Sequence, residues 1–319
     1  MKIGLASVTY LGIWYDGVAL PLRDVLATAR RLGYDGVEIN GKRPHGFPLD
    51  LDRAARDEIR AAAAAESMDI PALSANNDFT SPIPEQLEAQ VLLAVEQVRL
   101  ASDLGAPIVR MFLAWPGVAL RGDGVAQYDA AHHGWEESRR VTTRQEMWER
   151  ARRALREVAR HAEAAGVTLA LQNHAPLVRH HRDVLDMVAE VASPSLRVCL
   201  DAPLLLDHSD AAVRGAVRDV GALQAHSHVL GEFERDADGG IVQRPIEIGL
   251  AAPLINYPAF VDELARIGYD GWLCYEFCHP AIDAGHVFRG RDFVDDQVEL
   301  AGHYFRELVA AAAPAGAAR

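Results

Sequence analysis

Four short apolar segments in the second half of this 319-residue chain each end on or beside a residue able to bind a metal ion. They read VTLALQNH (167–174), LRVCLD (196–201), LQAHSH (223–228) and WLCYEF (272–277), with a helix-like stretch between one and the next. Such alternation is what a parallel α/β sheet or barrel looks like in sequence. Polar groups at the carboxyl ends of its strands collect on one rim, where active sites of these folds are built. Gln172, Asp201, His228 and Glu276 are therefore expected to converge. Two carboxylates, an imidazole and an amide oxygen suit one divalent ion of hard or borderline character. Mn²⁺ is favoured, with Mg²⁺, Co²⁺ and Zn²⁺ as the other candidates.

The elements that must position these residues repeat from the start of the chain. Strand patterns fall at 2–8, 36–39, 70–75, 108–113, 168–171, 197–200, 223–227 and 272–275. Helix patterns fall at 22–32, 51–67, 84–104, 142–165, 182–191, 211–220, 257–267 and 291–312. Leu87, Val91, Val95 and Val98 illustrate the helical spacing. Strict alternation of this kind closes naturally as a barrel, giving an α/β class and a single (β/α)₈ catalytic domain over 1–312, with 313–319 as a frayed tail. A weak internal repeat agrees: Gly33-Tyr34-Asp35-Gly36 and Gly268-Tyr269-Asp270-Gly271 each follow a helix and precede a strand, the first glycine suiting a left-handed helix cap. The loops after strands 2, 3, 4, 7 and 8 are long and rich in Pro, Gly, His and aromatic residues, which implies a deep pocket on one rim.

Composition narrows the partners. Half of the residues are hydrophobic, enough for one large core. The formal net charge of −13 argues against nucleic acid as substrate. No apolar stretch approaches the ~20 residues of a membrane span, and the first segment reads as a strand and not a signal peptide, so a cytoplasmic protein is expected. Three cysteines without a paired framework fit a reducing compartment. Cys199 and Cys274 read as core residues, whereas Cys278, two positions past Glu276, could face the rim.

With the Gly-Tyr-Asp-Gly turns, Glu38 on strand 2 and the ligand set on strands 5 to 8, the chain resembles the xylose isomerase-like TIM-barrel superfamily, which includes sugar isomerases and epimerases and inosose dehydratase. The resemblance covers essentially the whole chain. It implies a divalent-metal enzyme acting on a small sugar or glycoside, with Asp201, His228 and Glu276 matching the family's ligands. The strand 5 position departs from it: Gln172-Asn173-His174 stands where the family usually has Glu-Asn-His. In ketose epimerases of the family, the glutamates of strands 5 and 8 act as bases on opposite faces of the sugar, and an amide cannot take that role. The sequence looks most like the catalytic α subunits of C-glycoside deglycosidases, lyases that cleave 3-keto-C-glycosides together with a small β subunit. An oligomer is expected. A sugar isomerase, epimerase or inosose-type dehydratase with the same metal, and a sugar-binding barrel without activity, are the alternatives.

Several residues carry more than one reading. Asp201, ahead of Ala-Pro, could cap a helix. Gln172 could be a structural amide, and Glu276 a surface carboxylate. His174 shares a face with Gln172 on an extended strand and is the first choice for proton transfer, because an imidazole titrates near neutrality; it could equally anchor a loop. Glu276 is the second candidate base, and Glu38 either a further base or a rim acceptor. His226 lies on the same strand side as His228 and would contact substrate or sit in the core. His45, Asn76, Asp78 and Arg110 are candidate contacts to substrate hydroxyls. Trp115 and Trp135 would stack on a sugar or aromatic aglycone, or pack the loop. The pair His132-His133 reads as a solvated loop.

Overall fold

The computed structural model describes residues 1–122, 124, 126–246, 254–283 and 285–312. The expected tail at 313–319 and a portion of the long loop after strand 7 lie outside these. Eight parallel strands close into a barrel: β1 (Lys2–Ala6), β2 (Gly36–Asn40), β3 (Ala72–Ser74), β4 (Ile108–Met111), β5 (Thr168–Gln172), β6 (Leu196–Cys199), β7 (Gln224–Val229) and β8 (Trp272–Tyr275). Around the barrel the order is β1-β8-β7-β6-β5-β4-β3-β2. The strands are almost wholly buried and rich in Val, Ile, Leu, Ala and Cys, as a sheet covered on both faces requires.

Helices α1 (Leu22–Arg31), α2 (Arg53–Ala65), α3 (Pro84–Leu104), α4 (Tyr128–Arg139), α5 (Arg144–Ala165), α6 (His181–Val191), α7 (Asp210–Val220), α8 (Tyr257–Arg266) and α9 (Arg291–Ala312) follow in chain order. Their ends obey local chemistry. Pro84 opens α3 and Gly105, at φ 75°, closes it. Thr143 and Glu146 cap α5 reciprocally. Helix α4 departs from the loop expected there. It buries none of its residues and carries Gly134, so it lacks the apolar stripe that betrays a helix in sequence. His132 and His133 lie on this helix, not in a loop. Two short hairpins were likewise not expected: Ala119–Leu120 with Ala126–Gln127, and Glu232–Arg235 with Ile241–Arg244.

Register sets up the site. Ala6 lies opposite Glu38, Gln172 opposite Cys199, and Cys274 opposite His228. Between β6 and β7 the pairing slips: Val198 faces Gln224, while the next residue, Cys199, faces His226. Such a bulge re-aims the side chains beyond it. It brings Asp201 beside His228, whose backbone N–H donates to Asp201 Oδ1 at 2.7 Å.

The repeated turn has the backbone its glycines imply. Gly33 and Gly268 adopt φ of 78° and 77°. A side chain at Gly268 meets nothing within 4 Å, whereas one at Gly36 meets the carbonyl oxygen of Asp69 at 2.7 Å and the Trp272 ring at 2.8 Å. Gly268→Ala should therefore cost only the left-handed strain, about 1–2 kcal/mol. Gly36→Ala should cost more, because a backbone carbonyl fixed beside the strand cannot move aside. Denaturant titration of both variants checks the order, and a reversal would remove this account of the turns.

Candidate functional site

The site is built from the ends of β2, β5, β6, β7 and β8. Glu38, His226, His228, Asp201 and Gln172 are all within 2% of full burial, and the Glu276 side chain retains 13% exposure. Glu38 is the hub. It accepts from His226 Nε2 at 2.5 Å and from His228 Nε2 at 2.9 Å. An ionised carboxylate only accepts, so both Nε2 atoms carry protons. His228 therefore turns Nδ1 the other way. That nitrogen lies 3.4 Å from Glu276 Oε2, 3.4 Å from Gln172 Nε2 and 3.8 Å from Asp201 Oδ2. The four residues expected to converge at the strand ends do meet around this atom.

The supporting bonds show why they hold their places. Asp201 does not cap the turn after it; its carboxylate is drawn inward to His228 N–H. Gln172 Nε2 donates to Asp201 Oδ2, and its bonds do not go to loop backbone. Asn173, which sequence reasoning passed over, clamps β5 to β6: its Oδ1 accepts from Asp201 N at 2.8 Å and its Nδ2 donates to Asp201 O at 3.2 Å. Its place inside a Gln-Asn-His run beside a candidate ligand was the available signal.

The electrostatics are those of a cation site. Burial opposes a charge on His228, yet Glu38, Glu276 and Asp201 together raise its pKa well above the imidazole range. Glu38 is held well below the carboxylate range by His228 and His226 despite its burial. Burial raises Asp201, while His228 keeps Glu276 low against the same penalty. Two residue sets could hold a divalent ion. Glu38, His226 and His228 form a compact cluster with ligand atoms within 4.8 Å of one another. Gln172, Asp201, His228 and Glu276 form the second, around His228 Nδ1. Gln172 Oε1 is buried there with no partner, a donor atom left over for an ion to use.

His174 lies beyond Gln172 with its ring edge-on to Phe112 and Trp115, both at 4.9 Å between centroids. Its Nδ1–H donates to Ala175 O at 2.5 Å, which leaves Nε2 as the lone-pair nitrogen. Burial, reinforced by the charge of Arg110, lowers its pKa to about 4. Trp115 stacks on Phe112 and meets Tyr128, which in turn stacks on Trp14 at 5.4 Å. This aromatic wall, missed in sequence apart from Trp115, joins the loops after β1 and β4. The Tyr128 hydroxyl donates to Cys278 O at 2.7 Å and ties in the loop after β8. Burial, then Glu276, hold the Cys278 thiol well above its ordinary range, so it is no thiolate.

Other candidates have different occupations. Arg110 is 4% exposed, donates to Ala75 O at 2.9 Å and lies over Phe112. Asn76 Nδ2 donates to Asn40 Oδ1 at 3.3 Å. His45 Nε2 donates to Leu20 O at 2.8 Å and is buried in the loop. Asp78 has no oxygen to spare for a sugar: Oδ1 accepts from Thr80 N at 2.9 Å and Thr80 Oγ1 at 2.5 Å, and Oδ2 from Trp135 Nε1 at 3.0 Å and from Arg139. It fastens α4 to the loop after β3, and Trp135 serves the same clasp.

Residues 26–301 match the xylose isomerase-like TIM barrel, and the chain belongs to that family. Fructoselysine 3-epimerase of Escherichia coli O157:H7 is 28% identical over 187 residues, 57% of this chain and 62% of that protein, so the match spans a little under two thirds of the epimerase. The structure of D-psicose 3-epimerase from Clostridium cellulolyticum H10 with D-tagatose superposes with a TM-score of 0.70 at 19% identity, covering 97% of this chain and 99% of that one. That of 3-keto-D-glucoside 4-epimerase from E. coli does so with a TM-score of 0.64 at 15% identity, covering 94% and 99%. At these identities the two structures speak for the fold.

The Asp78–Arg139 pair is nearly buried, at 14% and 10% side-chain exposure. Asp78→Ala should lower stability by about 3 kcal/mol, the cost of leaving a buried charge unpaired, and leave metal content unchanged. Equilibrium denaturation and elemental analysis of the variant check both; loss of metal without loss of stability would return Asp78 to the site.

Proposed function

We propose that the protein is a divalent-metal-dependent enzyme that enolises a keto sugar, and that it cleaves the C-glycosidic bond of 3-keto-C-glycosides as the catalytic α subunit of a deglycosidase. The observation that carries this reading is Gln172. It stands at the strand 5 position, bonded to Asp201, and leaves Glu276 as the one partly exposed carboxylate of the centre. Glu38 is fully buried and engaged by two imidazoles, so it is a poor second base. One open face favours removing a proton and expelling a group over removing and returning it on opposite faces.

Gln172, Asp201, His228 and Glu276 would hold the ion, His228 through Nδ1, with Glu38 fixing the ring from Nε2, as a carboxylate behind a ligating histidine does. A bound divalent ion supplies Lewis acidity to the substrate carbonyl. His174 Nε2 takes the proton from the carbon beside the carbonyl, with Glu276 as the alternative base. The electron pair of that C–H bond forms the enediolate, then the ring double bond, as the C–C bond to the aglycone breaks. The aglycone carbon leaves with the bonding pair and takes up the proton that the base removed, breaking the N–H or O–H bond that held it and returning the base to its starting state. The aromatic wall keeps water from this step. A small β subunit would complete the enzyme, as in the lyases it resembles.

A second reading, an epimerase on the same site, is favoured by the 28% identity to fructoselysine 3-epimerase. It shares the proton removal and differs in the fate of the enediolate, which is reprotonated and loses no group.

Metal content separates the two ligand sets. Elemental analysis should find one divalent ion per chain, absent from Asp201→Ala and from Glu276→Ala. His226→Gln should keep it with affinity reduced by about 10–100-fold, the usual cost of losing an outer partner. Full occupancy in Asp201→Ala with none in His226→Gln would place the ion in the Glu38–His226–His228 cluster instead.

The reaction is tested in heavy water with 3-keto-C-glycosides and free ketoses side by side. One substrate hydrogen beside the carbonyl should exchange, and aglycone should be released. His174→Ala should slow release by ~10²–10⁴-fold with metal retained. Gln172→Glu should retain metal and lose turnover, since an added anion weakens the Lewis acid. Rapid epimerisation of a free ketose with His174→Ala fully active would establish the epimerase reading.

A further inference from the structure

Asp201 is gripped from three sides. Its Oδ1 accepts from the backbone N–H of His228 at 2.7 Å and from the thiol of Cys199 at 3.2 Å, and its Oδ2 accepts from Gln172 Nε2. An ionised carboxylate only accepts, so the hydrogen of the sulfur contact belongs to Cys199. The backbone runs extended at Asp201, with φ of −107° and ψ of 122°. Residues 199 and 201 therefore point to the same side of the chain, and the thiol meets the carboxylate two residues ahead.

Cys199 itself has no exposure to solvent. It packs with Ala72, Ile108 and Ala170 in a small apolar cluster of strand residues, separate from the large core. In register it faces Gln172 on β5 and His226 on β7. Among the described residues its thiol hydrogen bond goes to Asp201 and to no other group.

A single donor on Oδ1 would leave the carboxylate free to turn about that contact. The second, arriving from β6 where the first comes from β7, removes this freedom. Oδ1 is then held against the strands, and Oδ2 faces the centre, 3.8 Å from His228 Nδ1. A thiol is a weak donor. It fixes the direction of the carboxylate and leaves on it the negative charge that a cation needs.

We propose that Cys199 is a positioning residue of the metal centre, whose thiol keeps Oδ1 of Asp201 occupied so that Asp201 holds the ion through Oδ2 alone. The proposal rests on the ligand set given above, Gln172, Asp201, His228 and Glu276, and not on which sugar is the substrate. No bond to sulfur forms or breaks.

Calorimetric titration of the metal-free protein with Mn²⁺ tests it. Cys199→Val removes the donor and keeps the bulk of the side chain, whereas Cys199→Ser keeps a donor. Cys199→Val should bind Mn²⁺ about tenfold more weakly than the wild type, the lower end of what an outer partner contributes, because the thiol donor is weak. Cys199→Ala carries the same expectation, so a misfolded Cys199→Val does not end the test. Cys199→Ser should recover most of the loss. Ile108→Val, which trims an apolar neighbour in the same cluster, should leave the affinity unchanged. In the Co²⁺-loaded protein the visible bands should weaken without the donor, since a carboxylate free to use both oxygens raises the coordination number, and should return in Cys199→Ser. Wild-type affinity or wild-type bands in the donorless variants, Cys199→Ser as weak as they are, or an equal loss in Ile108→Val would each overturn this proposal alone. A wild-type protein that binds no Mn²⁺ would overturn the ligand set, and this proposal with it.

Discussion

A carboxylate with no exposure to solvent, shared by two imidazoles, governs the orientation of everything else in the centre. Glu38 lies on β2 and the histidines on β7, and two other strands, β1 and β8, stand between them around the barrel. Their bonds therefore cross the barrel interior and do not follow the sheet. Burying a carboxylate is expensive unless it is paired and hydrogen-bonded, so the pairing is enforced by the cost of its absence. The consequence is directional. With Nε2 committed to Glu38, the His228 ring has one nitrogen left, and that nitrogen faces Gln172, Asp201 and Glu276.

The neutral side chain at 172 is best understood against that background. Asp201 and Glu276 already oppose each other across the centre, and the charge of Glu276 is felt by Asp201. A third carboxylate in place of Gln172 would add repulsion that only a bound cation could offset. The amide relieves this by donating to Asp201, and keeps an oxygen available. The next residue, Asn173, acts in a similar way, with both ends of its amide used to lock the two strand ends together. Two adjacent amides thus do by hydrogen bonding what a carboxylate could do only with a metal present. The centre keeps its geometry at a smaller total charge.

The features of this arrangement that were legible in sequence share a cause. Strands β1 to β8 and the large helices announce themselves by apolar periodicity, and a strand's end fixes where its last polar side chain emerges. Gln172, Asp201, His228 and Glu276 could be placed together for that reason alone. The tight turns were legible because Gly33 and Gly268 need a backbone that other residues avoid. What was not legible depends on contacts between elements distant in the chain. Helix α4 has no buried stripe of its own, and is held by Trp135 and Arg139 reaching Asp78. The direction of the Glu38 side chain depends on two histidines almost 190 residues further on. Asp78 read as a sugar contact because an aspartate on a rim loop is usually free; its oxygens are filled by partners that no local pattern reveals.

The division between strands and loops also explains why the centre is easier to interpret than its substrate. The charged residues stand on strand ends, where barrel closure fixes them whatever the loops do. The aromatic wall is assembled outside the strands, with Trp14 and Trp115 contributed by the loops after β1 and β4, Tyr128 by the first residue of α4, and the loop after β8 tied on through Cys278. Its rings fix the shape of the mouth without contributing to the charge of the centre. A barrel can therefore keep one centre while its loops change the molecule that reaches it.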